Sequence, residues 1–215
     1  MPRRMPNLAG AFALAADRAV DLTTAGETAR VLLSFGRAHS RLLDHRKIEL
    51  LYEMAFLRIF NEWEVFLEES FIRYLCGYAG QIGPFQLTQG HHFPSMANAT
   101  VAFLGGQSYK LWHKPQTVIA RAQSFMVGSS HETVFSSALP DLTEFAAVRH
   151  RIAHGQKHAK AAFDQATMNL NAIRYPGSSA GRFLRDWNNS ANTPIRWIHA
   201  ITRDLKSYAA QIAPV

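Results

Sequence analysis

The chain has 215 residues, of which 47% are hydrophobic and 18% charged, and it contains one cysteine, Cys76. This composition is typical of a globular protein and excludes an intrinsically disordered chain, because disordered chains carry too few apolar residues to form a core. A disulfide framework is also excluded, and no apolar run approaches the roughly 18–20 residues that cross a bilayer. A single thiol favours a reducing compartment, so we expect a cytoplasmic protein without a membrane partner.

The net charge of +7 comes entirely from the last third of the chain. Residues 1–145 hold 13 basic and 13 acidic side chains, whereas residues 146–215 hold ten basic and three acidic ones. Residues 49–69 are acidic, with six glutamates against Arg58. A basic third suits a polyanion such as RNA. Alternatively, it packs beside the acidic segment and is neutralised there, and charge alone leaves both interpretations open.

The first element in chain order is an amphipathic helix predicted over residues 7–23. Its apolar residues recur at helical spacing from Leu8 to Leu22, past the point where a signal peptide would be cleaved, which favours a helix over a secretory leader. Thr24 and Glu27 then have the spacing of a capping box, and they predict the start of the next helix.

A long helix is predicted from about residue 44 to residue 76, because apolar residues recur there in steps of three and four. The pattern does not decide whether residues 27–76 form one helix or two, and Gly36 and Asp44 are the candidate breaks.

Residues 77–114 predict an irregular insertion, because Gly, Pro, Ser and Asn are frequent in them. Within this insertion, residues 100–104 fit either a short strand or one helical turn. Aromatic side chains can anchor the insertion on the core, namely Phe85, Phe93, Phe103, Tyr109 and Trp112.

Further helices are predicted near residues 116–126, from Asp141 onward, near residues 159–172 and, after the pair Thr193-Pro194, over about residues 194–212. We therefore expect an all-α fold in a single domain over residues 1–215. In it, the N-terminal helix spans residues 7–23, the core residues 27–172 and the C-terminal helix about residues 194–212.

An arginine shares the apolar face of the helix predicted after Asp141. On a helical wheel, Arg149 falls in the same arc as Leu142, Phe145 and Val148. A buried cation is unfavourable unless it is paired or faces a polar cleft. Arg149 therefore pairs with a glutamate of the acidic segment, such as Glu53 or Glu64, or buries only its stem while its head reaches water. In the functional alternative, it points into a site or a subunit interface that receives an anion.

His154 lies five positions beyond Arg149, and on a regular helix the two side chains diverge by about 140°. They converge only if the helix ends or bends at Gly155, or if a second copy of the chain supplies the partner across a twofold axis. An active site built from this pair therefore favours a homodimer.

Residues 149–155 read Arg-His-Arg-Ile-Ala-His-Gly, which resembles the signature of the HEPN superfamily: an arginine, a polar residue, three further residues and a histidine. Residues 63–75 and 109–112 are similar to segments of HEPN families from toxin and phage-defence neighbourhoods. The resemblance covers roughly residues 44–160.

The resemblance implies a helical bundle, usually dimeric, that acts as a metal-independent endoribonuclease without a cofactor, in the role of a toxin or phage-defence effector. Arg149 and His154 would be the catalytic pair and His150 an auxiliary catalytic residue. The products would carry a 2′,3′-cyclic phosphate and a 5′-hydroxyl. The implied partners are RNA, a second copy of the chain, and an antitoxin or another protein.

Further RNA-binding residues are expected in two places. Tyr109, Lys110 and Trp112 mix aromatic and basic side chains, which suits stacking and phosphate contacts with single-stranded RNA. The alternative is an anchored loop with a solvated basic edge. Arg151 and Lys157 lie within and just after the signature, and we expect them to bind RNA phosphates.

Two rival functions remain at this point. His150, His154 and His158 are spaced by four, and such imidazoles can bind zinc or nickel. However, we expect Gly155 to end the helix before His158, and no acidic residue or cysteine lies close in sequence, so no metal is predicted. The other rival is a non-catalytic helical module that binds RNA or a protein.

Overall fold

The computed structural model describes residues 3–34, 42–81, 83–107, 110–188 and 193–214. These residues form nine α-helices, and the all-α class is thereby confirmed. The helices are α1 (Leu8–Ser34), α2 (His45–Leu75), α3 (Met96–Leu104), α4 (Pro115–Phe125), α5 (Ser130–Ser137), α6 (Leu139–Ala153), α7 (Lys157–Asn171), α8 (Ala180–Arg185) and α9 (Trp197–Ile212). None of them is long and apolar enough to span a membrane.

Four two-residue strands accompany the helices. They are β1 (Arg3–Arg4), β2 (Tyr78–Ala79), β3 (Trp187–Asn188) and β4 (Ile195–Arg196). β1 pairs with β2 in parallel, and β3 pairs with β4 in antiparallel, with Trp187 opposite Arg196. The β3–β4 pair shifts the start of the last helix, which begins at Trp197 and not near residue 194 as expected.

The sequence did not decide whether residues 27–76 form one helix or two, and the structure has two helices there, α1 and α2. The second begins directly after Asp44, whose Oδ1 accepts a hydrogen bond from the Lys47 backbone N at 3.0 Å, as an N-cap carboxylate does. Gly36, the other candidate break, lies outside the described residues. The capping box expected at Thr24 and Glu27 is wrong, because α1 runs through both residues.

Inside the insertion, residues 100–104 belong to α3 and are therefore helical. Ser95 caps this helix by accepting a hydrogen bond from the Asn98 backbone N, and Gly105 ends it with a positive φ of 55°. Phe85, Phe103 and Trp112 are buried, as expected for residues that anchor the insertion. The sequence did not predict α5 and α8, two short helices that begin after the N-cap serines Ser129 and Ser179.

The chain divides into two compact units, each assembled from separate stretches of sequence. The first unit comprises Met1–Ala13, Trp63–Thr143 and Leu205–Val215, and the second comprises Leu14–Glu62 and Glu144–Asp204. The expected single domain over residues 1–215 stays a prediction.

Each unit has an aromatic centre. In the first unit, the Phe71 ring lies 5.2–6.0 Å from the ring centroids of Phe103, Trp112, Phe125 and His131. In the second unit, the Phe183 ring lies 5.2–6.0 Å from those of Phe163, Tyr175 and Trp197. Both central phenylalanines are fully buried. The second unit also contains the signature residues, so its core supports the candidate site.

Candidate functional site

The candidate site lies where α6 gives way to α7 in the second unit. The last helical residue of α6 is Ala153 and α7 starts at Lys157, so the predicted helix end around Gly155 is confirmed. At the other end of the pair, Asn169 Nδ2 of α7 donates to Glu144 Oε1 of α6. The two helices therefore run antiparallel, and the chain between them makes a tight turn.

Three imidazoles meet at this turn, and we call His150, His154 and His158 the histidine cluster. The ring centroids of His150 and His154 are 4.6 Å apart, and those of His150 and His158 are 5.2 Å apart. The Nε2 atoms of His150 and His158 lie 3.0 Å from each other. That distance is a hydrogen bond in which one ring donates and the other accepts, so at least one of the two rings is neutral in this arrangement.

The chain reversal explains how this cluster forms. His150 lies in the last turn of α6, and the His154 backbone N still donates to the His150 carbonyl at 2.9 Å, which continues that turn by one residue. The chain then reverses, and the first turn of α7 carries His158 back over His150. His154 and His158 are exposed and His150 is partly buried, so the cluster is accessible from solvent.

Arg149 lies on α6 immediately before the cluster. Phe145 and Val148 of the same helix are 2% and 0% exposed, which confirms the apolar arc predicted for them. Arg149 itself is partly buried, and its Nε atom is shielded from solvent. Glu53, one of the carboxylates expected to pair with it, accepts a hydrogen bond from the Gly181 backbone N at 2.9 Å.

Arg151 has a structural role in this conformation. Its Nε donates to the Ser178 carbonyl at 2.9 Å, and its Nη1 lies 3.5 Å from the His154 carbonyl. These contacts tie the segment before α8 to the end of α6, and they position the backbone of His154. Lys157, by contrast, is exposed at the first position of α7, next to the histidine cluster, where a phosphate can reach it.

Two of the other expected RNA-binding residues, Lys110 and Trp112, belong to the first unit. Trp112 is 1% exposed, and its indole N–H donates to Glu68 Oε2 at 2.8 Å. A fully buried indole offers no surface to a base, so the stacking role expected of Trp112 is wrong and this residue belongs to the core. Lys110 is partly buried and donates to Gln107 Oε1 at 2.8 Å, whereas Tyr109 lies outside the described residues.

His158 is the residue that the sequence interpretation undervalued. It entered only as a metal-ligand candidate, whereas the structure places it in hydrogen-bond contact with His150. The spacing of four between the three histidines was the available signal. In the described part of the chain, no group of three or more His, Cys, Asp or Glu side chains has a geometry that would hold a metal ion.

No protein-family model, curated protein or solved structure matches the chain. The resemblance to HEPN proteins therefore rests on residues 149–155 and the neighbouring sequence patterns.

Proposed function

We propose that the protein is a metal-independent endoribonuclease of the HEPN type, with Arg149 and the histidine cluster as its active site. The observation that carries the proposal is that His150, which directly follows Arg149 on α6, has its ring in contact with the exposed rings of His154 and His158. A hydrogen bond between two of these rings is an arrangement suited to acid–base catalysis, because histidine titrates near neutral pH.

The proposed reaction uses the substrate's own 2′-hydroxyl as nucleophile. Neutral His154 takes the proton of that hydroxyl while its oxygen forms a bond to the adjacent phosphorus. The P–O5′ bond breaks, and His150, which enters this step as an imidazolium, gives one proton to the leaving 5′-oxygen and becomes neutral. The Arg149 guanidinium stabilises the charge that builds on the non-bridging oxygens of the pentacoordinate intermediate. Each proton transfer contributes typically about 10²–10⁴-fold to the rate.

The remaining parts of the proposal concern the assembly and the setting. We propose that the active form is a homodimer in which the exposed turn after α6 lies near its counterpart, so that two copies together bind one RNA phosphate. Lys157 then contributes a further phosphate contact. A cytoplasmic toxin or phage-defence role, with an antitoxin or other protein as regulator, belongs to the same proposal.

The test is to incubate the purified protein with total RNA in the presence of EDTA and to analyse the new RNA ends. We expect cleavage that survives the chelator and leaves 2′,3′-cyclic phosphate and 5′-hydroxyl ends. Loss of cleavage in EDTA that added zinc restores, or 3′-hydroxyl products, would contradict the proposal.

A second candidate is a non-catalytic module that binds RNA, which the basic charge of residues 146–215 favours on its own. The same assay separates the two functions. A module of this kind slows the migration of RNA in a gel, and the RNA recovered after removal of the protein is intact.

A further inference from the structure

The second unit contains an open cleft of about 490 Å³ whose lining differs from the histidine cluster. Its walls come from the start of α2, from α8 and from the β3–β4 pair, and they carry one histidine and three arginines: His45, Arg182, Arg185 and Arg196. Trp187 adds an aromatic surface, and the volume is within the range of small-molecule sites. We propose that this cleft binds a nucleotide, with the phosphate on Arg182 and Arg185 and the base against Trp187.

Two of the arginines are held in place by one carboxylate. Glu27 Oε1 accepts from Arg185 Nε at 2.6 Å and lies 3.6 Å from Arg196 Nη2, while Glu27 Oε2 lies 3.3 Å from Arg30 Nε. Burial alone would raise the pKa of Glu27, but the hydrogen bond and charge of Arg185, together with Arg196 and Arg30, outweigh burial and lower it. Three guanidinium groups thus surround a single ionised carboxylate, and this group of four has a formal excess of positive charge, which is reduced but not removed when Arg182, Glu49 and Asp186 of the cleft wall are counted with it.

The two acidic residues in the cleft wall are used by the local fold. Glu49 Oε2 accepts from the Ser179 hydroxyl at 3.0 Å, at the start of α8. Asp186 accepts from the Trp187 backbone N at 2.9 Å and from the Tyr175 hydroxyl at 2.7 Å. Both carboxylates therefore fix the walls of the cleft, and Arg182 stays exposed where an incoming anion meets it.

Trp187 supplies the argument for an aromatic ligand. It is 47% exposed, whereas the other three tryptophans, Trp63, Trp112 and Trp197, are at most 5% exposed. The Arg196 guanidinium lies 4.9 Å from its ring centroid, and the pairing of β3 with β4 fixes the two side chains opposite each other. A base that stacks on the exposed part of this indole would add a third planar group to the stack of the Arg196 guanidinium and the Trp187 ring.

A nucleotide fits these features better than a simpler anion does. Inorganic phosphate would use the arginines and leave the exposed indole without a contact, and an acidic peptide would not need a flat aromatic surface. The inference does not rest on the proposed ribonuclease function, because it uses neither Arg149 nor the histidine cluster. The nucleotide is either free or the 5′-terminal residue of an RNA strand, since both present the same phosphate and base.

The exposure of Trp187 provides the experiment. Its fluorescence is measured in the full-length His154→Ala variant while 5′-AMP, 5′-GMP, 5′-CMP or 5′-UMP is added, with adenosine and inorganic phosphate as partial ligands. We expect saturable quenching by at least one mononucleotide and affinities about tenfold weaker for the two partial ligands. A 5′-phosphorylated oligoribonucleotide then distinguishes the two sources. If the cleft takes the end of an RNA strand, the oligoribonucleotide binds at least as tightly as the mononucleotide. If the cleft takes a free nucleotide, the mononucleotide binds more tightly than the oligoribonucleotide.

Matched variants assign the signal to the cleft. Arg182→Ala should weaken the nucleotide affinity about tenfold. Arg203→Ala removes the same charge from an exposed arginine that pairs with its neighbour Asp204, and it should leave the affinity unchanged. Trp187→Phe, followed by calorimetry, should retain part of the binding that Trp187→Ala loses.

Three results would overturn the inference. They are mononucleotide binding no tighter than that of phosphate, an equal effect of Arg182→Ala and Arg203→Ala, and unchanged binding by a folded Trp187→Ala variant. Circular dichroism of each variant separates a lost site from a lost fold. A mononucleotide contains no phosphodiester bond between nucleotides that could be cleaved, so the outcome of the mononucleotide titrations is independent of the ribonuclease test.

Discussion

At the scale of single residues, the contact between His150 and His158 carries most of the chemical information in the structure. The Nε2 atoms of His150 and His158 lie 3.0 Å apart, at hydrogen-bond distance, and the His154 ring lies against the ring of His150. We assign His158 the role of a positioning residue, because its ring contacts His150 and orients the side chain that is proposed to protonate the leaving 5′-oxygen.

We predict that His158→Ala lowers the rate of RNA cleavage about tenfold, because His150 loses the partner that orients it. His158→Gln should recover part of the rate, since its amide can still accept a hydrogen bond from His150. The measurement is the pH profile of cleavage, in which His158→Ala should change the shape and not only the height. A wild-type profile for His158→Ala would remove this residue from the site.

His131 in the first unit gives a prediction for stability. It is fully buried with its Nε2 3.0 Å from Ser70 Oγ, and burial lowers its pKa to about 3, with only partial compensation by the Leu67 carbonyl. The unfolded chain takes up a proton on this ring below about pH 6.5, and the folded chain does so only near pH 3. Between these values, this group therefore reduces the free energy of unfolding by about 1.4 kcal/mol for each unit that the pH falls.

His131→Gln tests this dependence. We expect the variant to be less stable than the wild type at pH 7 and the difference to shrink as the pH falls toward about 5, because the glutamine takes up no proton. Urea denaturation at several pH values measures both curves. Parallel curves over this range would contradict the neutral, buried state of His131.

At the scale of elements, the approach of α8 to α2 depends on a glycine. A Cβ atom added to Gly181 would lie 2.2 Å from the Glu49 carbonyl oxygen, and the Gly181 backbone N donates to Glu53. The cleft wall and the segment held by Arg151 both adjoin α8, so this close packing also positions the functional parts of the second unit.

We predict that Gly181→Ala destabilises the protein by about 2 kcal/mol or more, because the backbone of one helix must move away from the other. Gly155→Ala is the matched control, since an added Cβ there meets no atom within 4 Å. Thermal denaturation compares the two variants. A loss of stability in Gly155→Ala as large as that in Gly181→Ala would show that the packing at α8 is not the cause.

The elements that could be predicted from the sequence are the long periodic ones. The 31 residues of α2 carry an uninterrupted apolar stripe, and its bounds were predicted to within a residue. The helices α5 and α8 are too short for their apolar residues to show a helical period. The β3–β4 pair depends on contacts between Trp187 and Arg196, which are not neighbours in the sequence. The signature singled out Arg149 from the sequence alone. The contact between His150 and His158 could not be predicted in this way, because it forms only where the chain reverses between α6 and α7.

At the scale of the whole molecule, part of the positive charge in the basic third of the chain is neutralised by ion pairs within the fold. Arg185 and Arg196 pair with Glu27 of α1, while Glu49 and Glu53 of the acidic helix bind the start of α8. The open cleft escaped the sequence interpretation because its residues lie far apart along the chain. The exposed lysine and histidines after α6 remain available to RNA in the proposed function.

The most direct test of this account is the initial rate of RNA cleavage in EDTA by wild type, Arg149→Ala, His154→Ala and the control His91→Ala, which changes an exposed histidine in the first unit. We predict that Arg149→Ala and His154→Ala each lose at least about 10²-fold while remaining folded, and that His91→Ala cleaves at the wild-type rate. Undiminished cleavage by folded His154→Ala, or an equal loss in all three variants, would contradict the assignment of the site.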